Sequence, residues 1–202
     1  MSVGFSHIDI VGEKVSLRPV RAADAAAAYN LVKNEAVLST LAWDGPADEE
    51  EVLNTYHRWE EEMKAGESCN LAIERADQAG LIGCIGIRFP RHPLQVDIGY
   101  WLGEPFWNKG YMTEAVRLAC HLSFKYLNAA RAYATVFVGN IGSRRALEKN
   151  GFFLDGTLRC HIYKRGEFLD GWFYSLLRSE WEDKREEFCP RREEVVVARG
   201  KE

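Results

Sequence analysis

Residues 98–115 read IGYWLGEPFWNKGYMTEA, and their reading decides how the rest of the chain is arranged. The alternating apolar run at 96–102 predicts a strand, and the polar stretch 103–110, with Gly103 and Gly110, predicts a turn. Thr113 then opens a long amphipathic segment. A strand feeding a tight turn into a helix start makes an anion site, because the first helical N–H groups lack intrahelical partners and sit at the positive end of the helix dipole. Gly110 lets the backbone approach a bulky phosphate, and Lys109 adds a mobile charge. Two readings stay open for this stretch alone: a pyrophosphate cradle, or an ordinary strand–helix connection.

Upstream, residues 15–20 predict a strand and 24–33 a short alanine-rich helix. Trp43-Asp44-Gly45-Pro46 signals a turn, and Asp48 with Glu51 three residues on starts the next helix. That helix carries Val52, Tyr56, Trp59 and Met63 as one apolar stripe facing a core. Residues 70–74 and 81–90 predict a hairpin. Gly83 and Gly86 lie inside its second strand, so they do not form a dinucleotide fingerprint, whose glycines must open a helix. A turn at 91–95 returns the chain to the strand at 96–102. Downstream, 113–127 predicts a helix, 132–138 a buried strand, and 141–150 a short helix stopped by Gly151. Residues 152–162 and 168–177 flank a turn at 164–167 as a second hairpin. Residues 181–192 are charged, and the tail at 195–199 has no evident place except as a strand added to a partner.

The chain has 202 residues, 47% of them apolar, which suits one domain with a full core. Its formal net charge of −4 argues against broad binding to nucleic acid or anionic membranes. Five scattered cysteines include no Cys-x-x-Cys pair, which points to reduced thiols in a cytoplasm rather than to disulfides or zinc, and no histidine cluster suggests another metal. Residues 1–20 lack the apolar run of a signal peptide, and no segment has the length of a membrane span.

Three motifs in order resemble the GNAT acyltransferases, in particular the RimJ/RimL-like branch that acetylates protein N-termini. The first runs from Asp97 through Gly110 to Ala115. The second is Asn140-x-x-Ser143-Arg144-Arg145-Ala146-Leu147-Glu148-Lys149-Asn150-Gly151-Phe152. The third is Tyr174-Ser175-Leu176-Leu177-Arg178-Ser179-Glu180-Trp181. The resemblance covers residues 13–181 and leaves 182–202 as a charged extension. It implies an α/β (α+β) GNAT-type single domain. The expected sheet is mixed and mostly antiparallel, splayed between a central strand and the next, parallel one, with helices on both faces.

It also implies acetyl-CoA as donor and a primary amine as acceptor, with no metal. Tyr100, Leu102, Asn108, Lys109, Gly110, Tyr111, Met112, Thr113, Asn140 and Ser143 are then the donor-binding candidates. Trp107 and Met112 depart from the superfamily's phosphate-loop pattern, at positions where backbone groups rather than side chains would bind. For catalysis the resemblance offers Asp97 as base and Ser143 as acid, because the position of the tyrosine acid used by many relatives is Leu147. Tyr174 is an alternative acid. Trp43, Asp44, His161 and Asp170 are acceptor-pocket candidates. The acceptor is read as a protein or peptide α-amine. A small amine (a polyamine, amino sugar or antibiotic) and a non-catalytic acyl-CoA-binding module stand as alternatives. Dimers are common in the family.

Overall fold

The computed structural model describes residues 3–89 and 94–199. Its strands are β1 (Val3–Val11), β2 (Val15–Pro19), β3 (Ser68–Arg75), β4 (Gln78–Arg88), β5 (Gln95–Leu102), β6 (Arg131–Phe137), β7 (Phe153–Lys164), β8 (Glu167–Leu177) and β9 (Arg192–Arg199). They form one sheet in the order β7-β8-β6-β5-β4-β3-β2-β1-β9. All neighbours are antiparallel except β5 and β6. The helices are α1 (Ala25–Val32), α2 (Glu35–Leu38), α3 (Glu49–Ala65), α4 (Tyr111–Lys125), α5 (Ile141–Glu148) and α6 (Arg178–Glu182).

Local chemistry explains the element boundaries that matter for the site. α3 starts where Asp48 accepts the Glu51 N–H at 2.9 Å, and it stops at Gly66 in the left-handed region with φ 73°. Its stripe is buried at Val52, Tyr56 and Met63 against the sheet. α4 buries a broad face that includes Ala115, Leu118, Ala119 and Leu122, and packs on β2, β4 and β5. Residues 3–11 and 192–199 lie in the same sheet as the rest. The tail is β9, paired along β1 from Val11↔Arg192 to Val3↔Arg199, so it forms the edge strand of this chain's own sheet. β1 escapes sequence reading because Gly4, Ser6 and His7 blur its alternation, although Ile8 and Ile10 are fully buried. The turn expected at 91–95 lies mostly outside the described residues.

The parallel pair is short. β5 and β6 are in register only at Gln95↔Arg131, Val96↔Ala132 and Asp97↔Tyr133. Beyond Asp97, β5 keeps its pairing to β4 as far as Gly83↔Leu102, and β6 keeps its pairing to β8 as far as Phe137↔Gly171. Each strand therefore follows its outer neighbour, and a V-shaped gap opens between residues 98–102 and 134–137. The expected splayed, mixed sheet is present.

Candidate functional site

The gap in the sheet is the floor of a cleft of about 1470 Å³. Backbone groups on the inner edges of the two strands have no strand partner across it, a rare state inside a sheet and one suited to meeting a ligand. Tyr100, Leu102, Asn108, Gly110, Tyr111, Met112, Thr113, Asn140, Ser143 and Trp43 line this cleft. Asp97, Lys109, Tyr174, Asp44, His161 and Asp170 do not.

The donor half is built by the turn after β5. Trp107 Nε1 donates to the Leu102 carbonyl at 2.7 Å and pins the loop back onto the strand end. A tryptophan at this departure from the family pattern thus anchors the loop. Asn108 and Gly110 then take left-handed φ values of 60° and 80°, which aim the chain into α4. Gly110 is the N-cap of α4, and no side chain caps that helix start. α5 differs: Asn140 Oδ1 accepts the Ser143 N–H at 3.1 Å and closes its N-terminus. The uncapped N–H groups of α4, opening on a roomy cleft, fit the phosphates of a CoA donor. The Lys109 ammonium turns elsewhere, donating to the Pro105 carbonyl at 2.8 Å.

Across the gap, the hydroxyls of Tyr100 and Ser143 lie 2.7 Å apart. Burial pushes the Tyr100 phenol above its ordinary range, with the Ser143 bond opposing, so the group is a neutral donor at any working pH. Asp97 stands at the vertex, on the last rung of the parallel ladder. Arg88 Nε and Nη2 both donate to its Oδ2, at 3.1 and 2.9 Å, leaving Oδ1 without a bond from that partner. Tyr174 is buried, and its hydroxyl donates to Glu148 Oε1 at 3.4 Å, away from the cleft. It packs in the main core cluster and is not among the residues that line the cleft. Leu147 is fully buried as well.

The opposite half, where an acceptor would enter, is walled by α3, by the segment after α2 and by Ile162 of β7. The Lys164 ammonium, on a side chain 7% exposed, donates to the carbonyls of Leu38, Leu41 and Trp43 at 2.9, 2.5 and 3.0 Å. Arg165 pairs with Glu35 beside it. This clasp holds Trp43 on the cleft wall while Asp44 faces Lys164 and Arg165, at 3.8 Å from each. His161 is exposed outside the cleft. Asp170 Oδ1 accepts the Cys160 N–H at 2.9 Å and holds an irregularity in the hairpin, where Cys160 has φ 51°.

Several polar lining residues escaped the sequence reading, and two of them sit over a pair of glycines. Asn70 and Arg88 lie over Gly86 and Gly99, which face each other across β4 and β5. A Cβ at Gly86 would sit 2.7 Å from Asn70 Oδ1, and one at Gly99 would sit 2.6 Å from Arg88 Nη2. The glycines inside the second strand of the first hairpin are thus the signal that was available: they clear the sheet face for these side chains. Cys84 also lines the cleft, but burial pushes its thiol up to about 12, so it carries no thiolate for covalent acyl transfer near neutrality. Among the described residues, no group of three or more His, Cys, Asp or Glu could hold a metal. Among the same residues, no helix is long and apolar enough to cross a membrane.

A strand pair splayed over an uncapped helix start is the arrangement that the resemblance to the GNAT acyltransferases implies. The acetyltransferase (GNAT) domain family matches residues 14–153, and the chain belongs to that family. The "Uncharacterized N-acetyltransferase YoaA" of Bacillus subtilis is 26% identical over 167 residues, covering 82% of this chain and 94% of that protein. Two solved structures show the same fold. Spermidine N-acetyltransferase from Vibrio cholerae, in complex with CoA and spermine, has a TM-score of 0.73 and 20% identity, covering 83% of this chain and 98% of that one. Ribosomal-protein-S5-alanine acetyltransferase from Vibrio fischeri has a TM-score of 0.73 and 21% identity, covering 86% and 98%.

Proposed function

We propose that the chain transfers the acetyl group of acetyl-CoA to a protein or peptide N-terminal α-amine, by direct attack within a ternary complex. The observation that carries this reading is the gap between β5 and β6. Donor and acceptor can enter it from its two halves and meet at the inner edge of β5. In this reading the uncapped start of α4 receives the donor phosphates, and Asn140 shapes the loop across from it. A backbone N–H on the inner edge of β5 meets the thioester oxygen as it gains negative charge.

Ser143, oriented by Tyr100, supplies the leaving-group proton. When Tyr100 donates to Ser143 Oγ, the serine proton is free to point at the sulfur. As the C–S bond breaks, Ser143 passes its proton to the thiolate and regains one from solvent, which takes up the amine's proton by way of Asp97, while Tyr100 stays protonated and orients the serine. Asp97 takes the proton lost by the attacking amine through water, since it stands at the vertex and outside the cleft lining. Its tie to Arg88 fixes the carboxylate's orientation.

Charge in the acceptor half does not separate a peptide amine from a polyamine: Asp48, Glu50 and Glu51 line it with Arg58 and Arg88, and Arg88 is itself paired with Asp97. Buried Leu147, in place of the tyrosine acid of many relatives, favours the second reading, a CoA-binding module without turnover. The same reading places the chain in the cytoplasm and near the RimJ/RimL-like branch. Thiol release from acetyl-CoA against a panel of peptides, polyamines, amino sugars and amino acids tests it. Turnover with peptides bearing a free α-amine, lost on blocking that amine, is expected. Turnover only with small amines overturns the acceptor assignment, and tight CoA binding without any turnover establishes the second reading.

A further inference from the structure

Helix α4 has to receive an anionic group at its start, yet its first turn carries a carboxylate, Glu114. An acid there competes for the same positive end of the dipole and repels an anionic ligand. The fold removes the conflict. Glu114 is 9% exposed, and its carboxylate accepts the N–H groups of Glu13, Lys14 and Val15 at 2.8, 2.6 and 2.8 Å. Gly12 lies so close beneath that a Cβ there would sit 2.8 Å from Glu114 Cδ. The carboxylate is thereby spent on the turn between β1 and β2, and that turn is fastened to the start of α4.

One consequence is the position of Lys14. Its ammonium donates to the Lys109 carbonyl at 3.3 Å and lies 3.2 Å from where a Cβ on Gly110 would be. It has no carboxylate partner among the described residues. Lys109, the charge that sequence placed at this loop, is committed to the Pro105 carbonyl and lies over the Phe106 ring. We propose that Lys14, delivered by Glu114, is the side-chain ligand of the donor pyrophosphate at the start of α4. The inference rests on the acetyl-CoA reading. The α4 N-terminus supplies only about half a positive charge to a dianion, and the Lys14 ammonium, beside Gly110 and just outside the cleft lining, supplies a further whole one.

Calorimetric titration of CoA and dephospho-CoA, with pantetheine followed by NMR, separates the alternatives for wild type, Lys14→Ala and Lys14→Arg. Lys14→Ala is expected to weaken CoA and dephospho-CoA alike, by about tenfold as for loss of one charge-assisted contact. Pantetheine should be unaffected, arginine should restore binding, and the salt dependence of CoA binding should become shallower in the alanine variant. Glu114→Gln should weaken CoA in the wild-type background and add nothing in the Lys14→Ala background. An equal loss in both backgrounds overturns its positioning role. Unchanged CoA binding in Lys14→Ala, or a loss that also affects pantetheine, overturns the proposal. A loss seen with CoA but not with dephospho-CoA moves the contact to the 3′-phosphate and overturns the pyrophosphate assignment. Wild type that binds none of the three overturns the acetyl-CoA reading, and the role of Lys14 falls with it.

Discussion

Replacing Lys164 with methionine should release the acceptor wall without touching the donor site. The side chain spans the cleft rim, and its ammonium donates to three carbonyls between Leu38 and Trp43. Each bond from a charged donor is worth about 1.5–3 kcal/mol. Removing all three forfeits on the order of 6 kcal/mol, of which much is offset because methionine avoids the several kcal/mol of ammonium desolvation and the freed carbonyls can reach water. A net loss of about 2 kcal/mol remains, confined to a four-residue helix and the segment after it, so opening is local rather than global. Amide exchange at residues 38–43 should then speed up by about 30-fold, since each 1.4 kcal/mol is a factor of ten. The KM for the acceptor should rise while the Kd for CoA stays unchanged, because Trp43 lines the cleft and leans on this clasp. Unchanged exchange at 38–43 together with an unchanged acceptor KM would refute the reasoning. A weakened CoA Kd would show that the clasp is not confined to the acceptor half.

Ser143→Ala should lower kcat across the pH range and Tyr100→Phe should lower it less, whereas Tyr174→Phe, outside the cleft, should leave it intact; equal rates for Ser143→Ala and wild type would remove the serine from the mechanism. Asp97→Asn should slow turnover most at the acidic end, where more of the amine is protonated, and a uniform loss at every pH would instead mark a packing effect through Arg88. His121 is buried, its Nε2 lies 2.8 Å from Glu193 Oε2 and its Nδ1 has no partner. Burial holds its pKa below the ordinary value against the opposing pull of Glu193, so the unfolded chain binds the proton more readily than the folded one. Its contribution to stability is therefore complete above about pH 6.5 and lost as the pH falls below that, and His121→Gln should flatten this limb of thermal unfolding measured against pH. Deleting residues 192–202 removes β9 and the Glu193 bonds to His121 and Lys125 and bares the β1 edge, so Tm should fall; an unchanged Tm would mean that the strand contributes nothing in cis.

Local pattern sufficed for most elements. The stripe of α3, the capping pair Asp48 and Glu51, the two hairpins and the long face of α4 all express a periodicity or a cap within a few residues of sequence. The donor loop was legible for the same reason: Trp107, Gly110 and the helix start lie together in the chain. By contrast, the hydroxyl pair proposed to protonate the thiolate joins Tyr100 to Ser143, 43 residues apart, and nothing local marks a hydroxyl that will meet another across a gap. Lys164 looked like a turn residue because its partners lie more than 120 positions away. Asp44, His161 and Asp170 carried suitable chemistry, but the clasp and the hairpin bulge turned them elsewhere.

The sequence by itself determined most elements between residues 15 and 177 and the glycine-opened helix start after β5, because backbone conformation and burial pattern are short-range properties. Tertiary structure alone decided the length of the β5–β6 ladder, the cis pairing of β9, and which of two lysines reaches Gly110. Those outcomes depend on how each strand follows its outer neighbour and on a carboxylate, Glu114, meeting N–H groups about 100 residues earlier in the chain.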